Sequence, residues 1–204
     1  MDDRFYKNYF LTQMLEPNEN ILWHSEPDKK CFIFEAIFNS MLPFALIWFL
    51  FDAFFLFLVF STPEQNFNGG SAGRQSTLTF IIIFFAFHLM PVWIYLGGVI
   101  SAVLRHKYTE YVITDKAIYL AEGSSTCERR EYKDLDKTNL RMRQGFFDKI
   151  LNTGDVILEQ RTEGYGRGRR TIEYAIEDVP DFLEVYGLIK DLISKAQNSR
   201  NEEV

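Results

Sequence analysis

The residues able to do chemistry are few and far apart. His24, His88 and His106 are the only histidines, and Cys31 and Cys127 the only cysteines. No GxSxG, HExxH or kinase-type set accompanies them, so no nucleophile is paired with a base. Neither cysteine lies in a CxxC or CxxH context, so the spacing points to no metal site and no disulfide framework, and the two read as free cytoplasmic thiols. The 28 acidic residues scatter over strand-like and turn-like stretches as solvated side chains do. The expectation is a protein that is not an enzyme and uses no cofactor.

Two polar groupings stand out. Asp52 and His88 each sit inside a long apolar run, and an antiparallel hairpin of the two runs places them at similar depth. Ionisable groups in such a setting have partners or line water. A structural clasp is the favoured reading, and a proton relay or small transporter subunit the alternative. The second grouping is Arg161, Arg167, Arg169 and Arg170, flanking a glycine-rich stretch with Tyr165 at its tip. Basic loops of this kind contact anionic lipid headgroups, each nearby cation contributing about 1 kcal/mol at such a surface. Glu159, Glu163 and Glu173 favour a solvated hairpin instead, and the stretch lacks the strand-loop-helix setting of a phosphate-binding loop.

The elements that must position these groups begin with the apolar runs, residues 36–60 and 78–104, separated by a polar Gly, Ser and Asn-rich loop at 61–77. At about 1.5 Å per residue, either run as a helix crosses a hydrocarbon core of roughly 30 Å. Pro43 and Pro91 predict a kink in each. Lys29 and Lys30 precede the first run and Arg105 and Lys107 follow the second, whereas the loop carries only Arg74. That asymmetry makes the chain multi-pass with both termini cytoplasmic. Gly97-Gly98 lacks the GxxxG spacing of a helix dimer, so the oligomeric state stays open.

The net charge of −6 divides into −4 for residues 1–104 (9 acidic, 5 basic) and −2 for residues 105–204 (19 acidic, 17 basic), which argues against nucleic acid as a partner. The domain reading is an amino-terminal cytoplasmic arm at 1–31, a transmembrane hairpin at 32–104, a cytoplasmic domain at 105–197 and a polar tail at 198–204. In the arm, apolar residues at 5–15 share one side at helical spacing, for the membrane surface or for the protein itself. Short strands with regular turn signals follow at 108–114, 117–121, 127–132, 138–143, 155–161 and 170–176. Phe182, Val185, Tyr186, Ile189, Leu192 and Ile193 mark the apolar face of a closing helix, with Asp178 as its N-cap.

Three stretches, YTEYVITDKAIYL, GFFDKILNTGDVIL and AIEDVPDFLEVYGLI, together with the upstream LEPNENILWHSEPDKKCF, carry a resemblance. Residues 107–196 resemble the bacterial pleckstrin-homology-like (PH-like) domain family, in the form that follows a membrane hairpin. The resemblance implies an α+β membrane protein: a two-helix transmembrane hairpin, then a PH-like antiparallel β-barrel capped by a C-terminal α-helix, in the bacterial cytoplasmic membrane. It implies that Phe146, Phe147, Ile150 and Leu151 plug one end of the barrel. The expected function is an interaction or scaffold module that binds a protein or peptide partner, with anionic-lipid binding as the alternative.

Overall fold

A computed structural model describes residues 6–61, 70–163 and 170–202. The elements in chain order are helix α1 (Tyr9–Met14), strand β1 (Ile21–Ser25), helices α2 (Lys29–Ile37), α3 (Leu42–Ser61), α4 (Gly70–His88) and α5 (Met90–His106), strands β2 (Glu110–Thr114), β3 (Ala117–Glu122), β4 (Thr126–Glu131) and β5 (Arg141–Arg143), helix α6 (Phe146–Leu151), strands β6 (Gly154–Glu163) and β7 (Arg170–Val179), and helix α7 (Phe182–Glu202). They fall into two units, Met1–Glu35 with Ala102–Val204, and Ala36–Ser101. The arm at 1–31, set apart in the sequence reading, thus belongs to the same unit as the domain that follows the apolar runs.

That unit is built from two antiparallel sheets, in the orders β1-β2-β3-β4 and β5-β6-β7. The first strand comes from before the apolar runs: Trp23 stands opposite Ile113, His24 opposite Val112 and Ser25 opposite Tyr111. Period-two alternation then sorts the side chains. Tyr111, Ile113, Ile118 and Leu120 face the main core with Val156, Leu158 and Ile176. Val112, Ala117, Tyr119 and Ala121 face the other way and are covered by Leu11 of α1. Because both faces are covered, all five residues of β2 are buried. Of the two placements open to the arm, the structure has it packed on the protein.

Polar groups of the arm fix this packing. Asn8 is fully buried; its Oδ1 accepts from the Phe10 and Leu11 N–H groups at 2.9 and 3.2 Å, and its Nδ2 donates to the Gly123 carbonyl at 2.6 Å. Gly123 makes the β3–β4 turn at φ +62°, a conformation side chains rarely adopt. Asn20 donates two hydrogen bonds to the Asp115 carboxylate, from its backbone N–H and its side-chain amide, tying the arm to the β2–β3 turn. Glu19 accepts from the Tyr119 hydroxyl at 3.0 Å and from Arg129 at 3.3 Å.

Helix α7 closes the main core with Phe182, Val185, Ile189 and Ile193, the expected face. A Cβ at Gly154 would lie 2.9 to 3.0 Å from three ring atoms of Phe182, so glycine there lets this ring seat. Two local expectations are corrected. Asp178 does not cap the helix: it is the penultimate residue of β7, buried and at φ +56°, and α7 starts four residues later. Phe146 and Ile150 do not plug the barrel, because Asp148 takes the inward position of α6, binding Gly145 N–H and the Thr153 hydroxyl, and turns both of them to solvent. The stretch read as a polar tail continues α7 as far as Glu202.

In Ala36–Ser101 the kinks expected at Pro43 and Pro91 are full breaks between helices. Among the described residues no single helix is long and apolar enough to cross a membrane. Two bent pairs reach that length and composition together, Lys29–Ile37 with Leu42–Leu58 across 53° and Thr79–His88 with Met90–His106 across 55°. The cause is the expected one: Pro43 and Pro91 each occupy the second position of a new helix, where a missing N–H is harmless but the preceding ladder cannot continue. Asn39 bridges the first break, donating to the Ala36 carbonyl and accepting from the Met41 N–H, both at 2.8 Å. The loop expected at 61–77 is shorter, since α4 already begins at Gly70. Extending a formed helix adds one hydrogen bond for each residue fixed, so even a polar turn joins it cheaply.

Candidate functional site

Asp52 on α3 and His88 at the end of α4 meet, with Nδ1 of His88 2.7 Å from Oδ1 of Asp52. The imidazole is held between aromatic rings, stacked on Trp48 and on Phe84 at centroid distances of 5.2 and 5.0 Å. The indole N–H of Trp48 donates to the His88 carbonyl at 2.7 Å. Proline at position 91 ends the ladder just beyond His88, and the indole takes up the carbonyl there. A clasp of this kind is expected to couple its partners: in a double-mutant cycle, Asp52→Asn and His88→Gln should interact by about 0.5–3 kcal/mol. Additive losses of stability would show that the pair contributes nothing jointly.

The arginine grouping is only partly visible. Arg161 and Arg170 are exposed at the far ends of β6 and β7, while Tyr165, Arg167 and Arg169 lie outside the described residues. Two of the three carboxylates expected to offset them are engaged elsewhere: Glu159 lies 3.8 Å from Arg130 and Glu173 lies 2.6 Å from Arg143. The ribbon from Gly154 to Glu163 is ten residues long. At about 3.3 Å per residue, Arg161 stands roughly 23 Å and Arg170, opposite Glu163, roughly 30 Å along it from the end that adjoins Asp178 and Pro180.

At that near end lies a feature no sequence motif announced. A cleft of about 670 Å³ is lined by Pro27, Val103, Leu104 and Pro180 and rimmed by Lys7, Lys29, His106 and Lys107. Its walls are the two stretches at which the chain leaves this unit and returns. Lys7 pairs with Glu26, and His106 is 2.9 Å from the Pro27 carbonyl. Asp28 spends Oδ1 on the Lys30 and Cys31 N–H groups, capping α2. Lys29 and Lys107, both part of the cleft lining, have no ion-pair partner among the described residues, and the Lys107 ammonium lies 5.4 Å from the centroid of the Tyr108 ring.

Beside the cleft α2, α6 and the end of β7 bring acidic groups together. Asp178 N–H donates to Asp155 at 3.0 Å, and Arg143 donates to the other Asp155 oxygen at 3.0 Å. The Cys31 thiol donates to Asp148 at 3.4 Å. Burial, reinforced by Glu35, Asp155 and Asp148 and opposed by the Cys31 thiol, pushes the Asp178 carboxyl up to about 7. Burial, with Asp155 and Glu122 nearby, also pushes Glu177 up to about 7.

Two surfaces complete the inventory. Strand β5 forms the outer edge of its sheet and all three of its residues are exposed. Next to it in the chain, α6 presents Phe146 and Ile150, one helical turn apart and 73 and 64 % exposed. The ring of Phe147 packs 5.7 Å from that of Phe34 on α2.

No curated protein and no solved structure matches the chain. A family model does, described as Bacterial PH domain, over residues 51–193. The match starts within α3, ends within α7 and takes in both sheets except β1. With well over half of its length matched, and with two antiparallel sheets closed by a carboxy-terminal helix, the chain belongs to the bacterial PH domain family.

Proposed function

We propose that this protein is a non-enzymatic interaction module, anchored in the bacterial cytoplasmic membrane with both termini in the cytoplasm, whose PH-like barrel captures a protein or peptide partner. The observation that carries this reading is β5. A short exposed edge strand offers unpaired N–H and C=O groups to an extended segment, and Met142, Phe146 and Ile150 offer apolar contacts close by. Membrane anchoring is supported by Ala36–Ser101, where Phe, Ile and Leu side chains stand exposed along α3, α4 and α5. Apolar exposure on that scale needs a non-aqueous neighbour. The direct Asp52–His88 bond favours a clasp over a proton relay.

A second reading, binding of an anionic lipid headgroup, is favoured by Lys29 and Lys107 at the mouth of the cleft. Arg161 and Arg170 are then a separate, more distant contact. One experiment separates the readings. Photo-crosslinking residues placed at Met142 and at Lys107 of the full-length protein in cells, with Lys133 as a control, should give a discrete protein adduct at position 142 alone. A lipid adduct at 107 with no protein adduct at 142 would replace the peptide reading by the lipid one.

A further inference from the structure

Cys31, Glu35, Asp148 and Asp178 each offer one ligand atom, a thiol sulfur or a carboxylate oxygen, and these four atoms lie within 4.8 Å of one another. The residues come from three elements. Helix α2 supplies Cys31 and Glu35, one turn apart on one face; α6 supplies Asp148; the end of β7 supplies Asp178. Cys31, Asp148 and Asp178 are buried, with 0, 1 and 3 % exposure, whereas Glu35 is exposed and opens the group to solvent.

Acidic groups often gather without an ion, so the cluster alone decides nothing. The independent observation is Asp178: this side chain is 97 % buried, since 3 % is exposed, and its Oδ1 has no hydrogen-bond partner. An ionised oxygen buried without a donor is strongly disfavoured. The nearby donors are already engaged. Gly145 N–H and the Thr153 hydroxyl serve Asp148, the Asp178 N–H serves Asp155, and Arg143 is shared by Asp155 and Glu173. The Asp178 Oδ1 is thus left without a donor.

We propose that Cys31, Glu35, Asp148 and Asp178 form a binding site for a divalent transition-metal ion of the zinc type. One sulfur and three carboxylate oxygens match the mixed, four-coordinate ligand sets that Zn²⁺ accepts, and the sulfur disfavours Mg²⁺ and Ca²⁺, which take oxygen ligands. Ligands bound at about 2.0–2.3 Å stand within about 4 Å of each other, so the cluster needs to close by about 1 Å or less. On binding, the thiol proton passes to water and the sulfur donates its electron pair to the metal. The ion then ties α2, by which the chain leaves the barrel, to α6 and β7. Ligands at 31, 35, 148 and 178 match no spacing motif.

The test uses the full-length protein in detergent, stripped with a chelator and titrated with Co²⁺. A thiolate-to-cobalt charge-transfer band in the near ultraviolet, saturating at one equivalent and removed by Zn²⁺, is expected. Cys31→Ser should abolish the band, Cys127→Ser should keep it, and Glu35→Gln and Asp178→Asn should each weaken Co²⁺ binding at least tenfold. A missing band, or one that survives Cys31→Ser, overturns the proposal. Should Cys31→Ser fail to fold, the exposed position Glu35 decides: wild-type Co²⁺ affinity in both Glu35→Gln and Asp178→Asn also overturns it.

Discussion

Replacing Asn8 with alanine is expected to destabilise the barrel by about 3 kcal/mol, a large effect for one side chain in a short arm. Loss of the helix cap accounts for about 1 kcal/mol. The rest comes from carbonyl oxygens left without a donor, at about 1–3 kcal/mol for a buried group. The Asn8 amide donates to Gly123 at 2.6 Å and also lies 3.3 Å from the carbonyls of Tyr108 and Thr126. Asn8→Asp separates the two contributions. It keeps the cap acceptor but turns a carboxylate toward carbonyl oxygens, so its loss should equal or exceed that of alanine. Native-state hydrogen exchange of the β2 and β3 amides reads the change, because Leu11, held by this cap, covers Val112 and Tyr119. A loss under about 1 kcal/mol in both variants would mean that the arm is not part of the core.

Much of the barrel is legible in the chain itself. Alternation and turn residues mark β3, β6 and β7, and the 3.6-residue spacing from Phe182 to Ile193 marks α7, because in each case one face is buried and the other is not. The arm was harder to place. Residues 20–23 look like a short strand, but pairing is a property of two segments, and the partner β2 lies beyond 84 intervening residues (26–109). β2 itself shows no alternation because both its faces are covered, one of them by that same arm.

The clasp is a different case. Asp52 and His88 could be matched in depth from a hairpin of two helices, and they meet although the kinks expected at Pro43 and Pro91 are full breaks. The cluster around Asp178 had no signal of its own, since its members are spread over residues 31–178 and Asp178 reads as a helix cap. Local rules place an aspartate before a helix; the long-range contact with α2 and α6 is what buries it. The outward turn of Phe146 and Ile150 was hidden for the same reason, because the inward position of α6 went to Asp148, whose partners Gly145 and Thr153 are visible only once the segment is folded.

The other large effect concerns the barrel as a whole. Residues 105–204 expressed alone lack α1, β1 and the whole of α2. They leave β2 as an open edge and expose the face formed by Val112, Ala117, Tyr119 and Ala121. Trp23, packed on the main core and donating to Asp181 at 2.6 Å, is also lost, as is Glu19, the acceptor for Tyr119 and Arg129. Burial of a large apolar side chain stabilises by about 1.5–3 kcal/mol, so Leu11, Ile21 and Trp23 together approach the 5–15 kcal/mol that holds an ordinary domain folded. The fragment is therefore expected to be unfolded or aggregated. A chain in which residues 1–35 are joined to residues 102–204 by a flexible linker keeps every strand of both sheets. Thermal unfolding of the two proteins, followed by circular dichroism, should show a cooperative transition for the joined chain and none for residues 105–204. Equal cooperative transitions in both would contradict a barrel built from the two sides of the apolar runs.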